Sequence, residues 1–242
     1  MIVIPMAGLS SRFFNAGYTQ PKYMLKAQGK PLFDHALLSF STYFSDTPFL
    51  FIVRELYDTP AFVTARCHAL GIKNFHIVTL TNPTRGQAET VYLALDNIPA
   101  DEPLTIFNID TFRPGFTLPA IAHESDGYLE VFHGEGSNWS YAKAADANST
   151  QVVATAEKQP ISNLCSTGLY HFRRCADFCH AFETEVARPQ SEWQKQELYI
   201  APLYNHLIGA GKAIHYHLIS ADDVIFCGVP AEYQALLAKD DN

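Results

Sequence analysis

Residues 49–80 read FLFIVRELYDTPAFVTARCHALGIKNFHIVTL, and this stretch decides the fold. FLFIV at 49–53 and FHIVTL at 75–80 are short apolar runs, and a stretch of helical period near 58–70 lies between them. A half-buried strand alternates apolar and polar residues, whereas a run apolar at nearly every position suits burial on both faces. Strand, helix, strand in that order is the signature of parallel strands covered by helices. Working outward, IVIP at 2–5 supplies an earlier strand, followed by a loop and a helix near 31–44 (PLFDHALLSFSTYF). A helix near 87–97 leads to a fourth strand, LTIFNID at 104–110. The texture changes after residue 125: GYLEVFHG, SYAKAA, QVVATAE and STGLYHF are strands with little helix between them, so this part is more antiparallel. Helices near 175–187 and 192–210, the strand AIHYHLI and a last helix near 230–239 complete the chain. The expectation is an α/β fold, a three-layer Rossmann-like mixed sheet that is mainly parallel, with a small antiparallel lobe. No Ser/Gly/Pro linker, repeat or low-complexity segment interrupts the 242 residues, so a single domain over 1–242 is expected.

Composition narrows the function classes. Apolar residues make up 48% of the chain and charged ones 17%, enough for a sizeable core and too little charge for a disordered tail or coiled coil. Seventeen Lys and Arg against twenty-five Asp and Glu leave a formal charge of −8, unsuited to gripping nucleic acid through its phosphates. Small anionic substrates stay open, because a local cation cluster can hold a phosphate whatever the total charge. No apolar run approaches a membrane span, and MIVIPMAGLSSRF lacks the basic leader of a signal peptide. No membrane contact and a cytoplasmic location are therefore expected, and the sequons at Asn138 and Asn148 carry no meaning there. Five scattered cysteines fit a reducing compartment better than a disulfide framework. His171, Cys175, Cys179 and His180 could be read as a zinc set, but CADFCHAF is an apolar helical stretch and buried cysteine is the plainer reading.

Ligands of an open parallel sheet bind beyond the carboxyl ends of its strands. The segment after the first strand is AGLSSRFFNAGYTQPKYMLKAQGKPLFDH. Gly8 lets the backbone turn, and Ser10 and Ser11 are small enough for main-chain N–H groups to face an anion. Arg12 offers a forked donor and Lys22 a compact charge, with Pro21 stiffening the approach. A polar surface loop with solvated cations is the rival reading. Neither GxGxxG nor GxxxxGK[ST] nor GxSxG occurs.

These residues resemble the opening of the sugar-phosphate nucleotidyltransferases, roughly AGxGSRF, then PK, then GKPLxxH. Ala7, Gly8, Leu9, Ser10, Ser11, Arg12 and Phe13 match in order, then Pro21-Lys22 and Gly29-Lys30-Pro31-Leu32 to His35. Ser10 departs from the pattern, standing where the family usually has glycine. Arg85-Gly86-Gln87-Ala88 is similar to the segment whose glutamine reads the base, and FNID at 107–110 to the metal-binding strand end. Glu157-Lys158 with Pro160, and Thr167-Gly168-Leu169-Tyr170, resemble the segments that hold the acceptor. Glu197-Leu198-Tyr199 and Gly228-Val229-Pro230 resemble two later marks, so the resemblance spans nearly the whole chain.

The resemblance implies a GT-A-like fold, with residues 1–124 as a nucleotide-binding half and 125–242 as an acceptor-binding half. It implies a magnesium-dependent nucleotidyltransferase that moves NMP from an NTP to a phosphorylated small molecule, a sugar 1-phosphate above all, releasing pyrophosphate. Sugar-nucleotide biosynthesis, for instance for capsule or cell-surface polysaccharide, would be its setting. Arg12, Lys22 and Asp110 would be catalytic. Ala7, Gly8, Leu9, Ser10, Ser11, Gly86 and Gln87 would bind nucleotide. Trp139, Tyr141, Glu157, Lys158 and Gly168 would bind the acceptor. Asp110 ends a buried strand, where one carboxylate can hold Mg²⁺ and leave waters in place; a turn cap before Thr111 is the plainer alternative. Gln87 could equally cap a helix, Lys158 could be a solvated surface lysine, and Trp139 and Tyr141 could be core. Phe226 occupies the position where the family often supplies a second metal aspartate, so Asp222 or Asp223 would have to substitute. The rivals are a cytidylyltransferase for a phosphocholine-like acceptor, a GT-A glycosyltransferase and a non-catalytic nucleotide-binding domain. A glycosyltransferase would usually carry DxD where this chain has Asn108-Ile109-Asp110.

Overall fold

Strand Phe49–Arg54 pairs in parallel with Phe75–Leu80, from Phe49 opposite Phe75 to Arg54 opposite Leu80, as the quoted stretch requires. Helix Thr59–Leu70 makes the connection. Pro60 sits in its first turn, where a missing N–H costs nothing, and Gly71 ends it at φ +79 in the left-handed conformation that glycine adopts freely. The structure, a computed structural model, describes residues 1–238. The last helix is Pro230–Ala238, and residue 239 of the expected span lies outside the described residues.

The chain condenses into two compact units, each made of three segments. One holds Met1–Val3, Pro83–Phe107 and Leu118–Ala221; the other holds Ile4–Asn82, Asn108–Thr117 and the chain from Asp222. In the first, Ile2 and Val3 lie parallel to Thr105 and Ile106 of strand Leu104–Phe107. Strand Leu164–Phe172 runs antiparallel to Leu104–Phe107 and to Gly127–His133, and Ser140–Ala144 pairs antiparallel with Val152–Glu157. Strand Ile214–Leu218 lies parallel to Gly127–His133. The fold is thus α/β with a mixed sheet, parallel in its early strands and largely antiparallel after residue 125, where Ile214–Leu218 still pairs in parallel. Tyr204 stacks on Phe172 at 4.5 Å inside this unit, and its hydroxyl donates to Tyr128 O and His171 O.

The second unit packs Phe33, Phe40, Phe49 and Phe51 in its core, each fully buried. Each such side chain contributes roughly 1.5–3 kcal/mol by leaving water. Two short antiparallel ladders belong here: Lys26–Ala27 with Lys30–Pro31, and Thr111–Phe112 with Ile225–Phe226. Neither is visible as a period in the sequence, since two residues cannot display one.

Three expected helices are shorter than their apolar pattern. The helix near 31–44 is Leu32–Leu38, followed by a separate turn at Ser41–Tyr43. The helix near 87–97 is Gln87–Tyr92, because Ala94 and Leu95 turn to carbonyls three residues back and the coil tightens and ends. The helix near 192–210 is broken into turns at Gln190–Glu192, Gln194–Gln196 and Ala201–Leu203 before a helix at Tyr204–Gly209. Lys195 and Gln196 take left-handed φ of 55° and 58°, and Leu198 spends both backbone groups on another segment. No helix is long and apolar enough to cross a membrane among the described residues.

Candidate active site

In the second unit the first strand ends in a loop that curls around Ser10. Ser10 is left-handed, φ 51° and ψ 28°, and its carbonyl accepts from Phe13 and Phe14 N–H to start helix Ser11–Asn15. A non-glycine residue there costs roughly 1–2 kcal/mol of backbone strain. Its Oγ accepts from the Lys22 N–H at 3.2 Å, which a glycine could not do. The departure from the family pattern therefore carries its own compensation. Gly8 has open space where a Cβ would be, Leu9 is 52% exposed, and Ser11 and Arg12 are exposed. Ala7 is half-buried.

Lys22 Nζ donates to Asp110 Oδ2 at 2.5 Å, both side chains about one-fifth exposed. Asp110 is fixed from behind, since Cys227 N–H donates to its carbonyl at 2.8 Å, continuing the ladder of Phe226 with Thr111. A Cβ on Gly228 would stand 2.9 Å from Asp110 Oδ2, so glycine keeps that side of the carboxylate clear. Glu232 Oε2 accepts from Gly228 and Val229 N–H at 2.8 and 3.2 Å and shapes this turn. Burial, then the nearby Glu232 and Asp110, push the Cys227 thiol up to about 12, which keeps it neutral and no nucleophile. Asp222 and Asp223 lie on an exposed turn, Ala221–Asp223.

Among the described residues no three His, Cys, Asp or Glu side chains group so as to hold a metal. Magnesium commonly takes one or two protein carboxylates and fills its shell with water and substrate phosphates. A partly exposed carboxylate with a glycine-cleared side fits that pattern.

The first unit carries the other residues. Gly86 has φ +154°, and a Cβ there would meet Leu198 O at 2.4 Å. Leu198 N–H donates to Arg85 O at 3.0 Å and Ala88 N–H to Leu198 O at 2.8 Å, so 85–88 and 198 form a stitched pair. Gln87 opens helix Gln87–Tyr92, and Arg85 is held by Glu89 and lies 5.4 Å from the Trp193 ring. Strand Val152–Glu157 ends in Glu157 and then Lys158, which is left-handed at φ 52° and donates its N–H to Trp139 O at 2.8 Å. Lys158 Nζ donates to Tyr199 Oη at 2.5 Å. Glu157 is 6% exposed, and burial pushes its carboxyl above the usual range despite the Ser140 hydroxyl donating to it. Tyr170 donates to Ser140 Oγ at 3.1 Å and, pushed up to about 12 by burial, stays neutral. Gly168, φ 90°, lies in the irregular register between Ser166 and Tyr170, its N–H on Ser166 Oγ.

A solved structure of the nucleoside-diphosphate-sugar pyrophosphorylase from Vibrio cholerae RC9 is similar to this chain at 60% identity and TM-score 0.96, covering 98% of this chain and 100% of that one. The chain belongs to the nucleoside-diphosphate-sugar pyrophosphorylases, a sugar-phosphate nucleotidyltransferase family. More distant likenesses support the fold alone. The inositol-1-phosphate CTP transferase from T. maritima shares 15% identity at TM-score 0.72, over 98% of this chain and 94% of that one. The UTP-bound UGPase from Acinetobacter baumannii shares 13% at 0.71, over 99% and 92%. No protein-family model matches the sequence, and no curated protein matches it.

For a sugar-phosphate nucleotidyltransferase the structure gathers the sequence's candidates into two sets, one in each unit. Ser10, Lys22 and Asp110 stand together with Gly228, and Trp139, Glu157 and Lys158 stand together with Ser140 and Tyr199. Tyr141 is 1% exposed, and its hydroxyl is spent on Gly136 O, so it packs as core. Trp139 is half-buried, edge-on to Phe132 at 5.1 Å. Sequence reading noted the Gly228 turn but not the part Gly228 and Glu232 take beside Asp110. It also gave Tyr199 no role, though the ELY mark pointed at it.

Proposed function

We propose that this enzyme transfers NMP from an NTP to a sugar 1-phosphate and releases pyrophosphate, with magnesium. The observation that carries the reading is the Lys22–Asp110 pair beside the glycine-cleared carboxylate. An acceptor phosphate oxygen forms its bond to the α-phosphorus as the bond to the bridging oxygen toward the β-phosphorus breaks, and the electron pair leaves with pyrophosphate. Little covalent work falls to the protein, so catalysis is positioning and charge neutralisation.

Arg12 and Lys22 take the triphosphate oxygens in this reading, with main-chain N–H groups of residues 7–11 beside them. Asp110 holds magnesium, which when bound supplies charge neutralisation on the phosphate oxygens. Gly86 and Gln87 present the base-reading edge. Lys158 takes the acceptor's phosphate, Glu157, held by the Ser140 hydroxyl, accepts from an acceptor hydroxyl, and Trp139 lends an apolar face.

The test is pyrophosphate release with each common NTP, Mg²⁺ and a panel of sugar 1-phosphates, phosphocholine and free hexoses. Release with a sugar 1-phosphate supports the reading. Release with phosphocholine alone makes the enzyme a cytidylyltransferase of the other kind, and no release with any acceptor sinks catalysis of this class.

A further inference from the structure

We infer that Tyr199 is a positioning residue for Lys158, an inference that rests on Lys158 being the acceptor-phosphate lysine. Lysine is a flexible chain of four methylenes, and ordering it on a ligand costs rotamer entropy. A residue that orders it beforehand removes that cost from the binding step. Lys158 Nζ donates to Tyr199 Oη at 2.5 Å and lies 4.5 Å from the centroid of the same ring. Both contacts are made by a neutral group, so the ammonium is held without its charge being cancelled. Glu157 Oε1, the nearby carboxylate, is 3.9 Å away, and burial holds that carboxyl toward its neutral form.

The holder is itself fixed. Tyr199 lies between Leu198 and Ile200, both buried. Leu198 is bound on both backbone groups to Arg85 and Ala88. Two residues beyond Tyr199, Ala201 O accepts from Thr155 Oγ1 at 2.6 Å, and Asn205 exchanges bonds with Thr155 N–H and O at 2.8 and 2.9 Å. Thr155 belongs to strand Val152–Glu157, which delivers Lys158. The tyrosine and the lysine are thus tied to one strand from two directions, and the lysine's left-handed backbone aims its side chain from a bonded N–H. A solvated surface lysine needs none of this.

The test is a double-mutant cycle on the full chain with wild type, Tyr199→Phe, Lys158→Ala and the double variant, using glucose 1-phosphate and the NTP that turns over with it. Phenylalanine keeps the ring and removes the hydroxyl. Tyr199→Phe should raise the acceptor KM about three- to tenfold, leave the NTP KM within about twofold, and add nothing in the Lys158→Ala background. Thermal unfolding of Tyr199→Phe should stay near wild type, and Tyr199→Leu should raise acceptor KM further. If Lys158→Ala raises the acceptor KM but Tyr199→Phe does not, or adds its full effect to the double variant, the positioning role falls and the acceptor assignment stands. If Lys158→Ala leaves the acceptor KM unchanged, both fall together.

Discussion

Lys22 and Asp110 stand 88 residues apart in the chain and 2.5 Å apart in the fold. Each is held through its own backbone by a different partner: Lys22 N–H is tied to Ser10 Oγ, and Asp110 O to Cys227 N–H. The pair is only partly buried, so its contribution to stability is small, about 0–1 kcal/mol. Opposed charges held this way at little benefit to the fold suit the phosphate and metal roles proposed for them.

Asp110→Asn should therefore leave the fold intact and cut pyrophosphate release by a factor on the order of a thousand or more, because an amide is a poor magnesium ligand. Circular dichroism and steady-state rates at saturating Mg²⁺ check it. A near-wild-type rate would return Asp110 to the role of turn cap.

Ser10 sets up an inversion of the usual order of substitutions. Ser10→Ala keeps the left-handed strain and loses the bond to Lys22 N–H, so it should destabilise by about 1 kcal/mol. Ser10→Gly also loses the bond but relieves the strain, at an entropic cost of about 0.5–1 kcal/mol, and should lie within about 1 kcal/mol of wild type. Urea midpoints decide it. Alanine proving as stable as glycine would mean that relieving the left-handed strain at Ser10 gains no more than glycine's entropy costs.

The early parallel strands and the opening loop were legible because apolar runs and a signature loop report local and family constraints directly. What was not legible arises from contacts far apart in sequence. Gly228 matters through Asp110, and Leu198 stays out of a helix because Arg85 and Ala88 claim its backbone. The expected helix near 192–210 failed for that reason, since an apolar pattern cannot record a competing hydrogen-bond partner. Tyr141 looked like a wall residue and is buried, because Ser140–Ala144 is covered on both faces at Tyr141 and Ala142.

Glu157 gives a pH prediction. Burial raises its carboxyl pKa in the folded state above the unfolded value, so the native state binds the proton more tightly. Its contribution to stability is then largest below the unfolded pKa and falls as pH rises through the folded pKa. Glu157→Gln abolishes this slope. The difference in melting temperature, variant minus wild type, should therefore become more positive from about pH 4 to about pH 7. A difference that is flat or declines over that range contradicts the burial cause.

Gly86→Ala should disturb both substrates, although sequence reading placed Gly86 with the nucleotide alone. Its φ of +154° lies in a region that glycine occupies and alanine rarely does, and the new Cβ would come within 2.4 Å of Leu198 O. Backbone cannot step aside as the end of a side chain can. Relief requires the 85–88 loop and the 197–199 segment to separate, which breaks the Leu198–Arg85 and Ala88–Leu198 bonds. The loop carries Gln87, and the segment carries Tyr199 with Lys158 on it. Stability should fall by about 2–4 kcal/mol for the strain and the lost bonds together. In the fraction that folds, NTP and acceptor KM should both rise severalfold. The check is a pair of titrations under conditions where the variant is fully folded by circular dichroism. A rise in NTP KM with the acceptor KM unchanged would show that the 197–199 segment keeps its place without the loop.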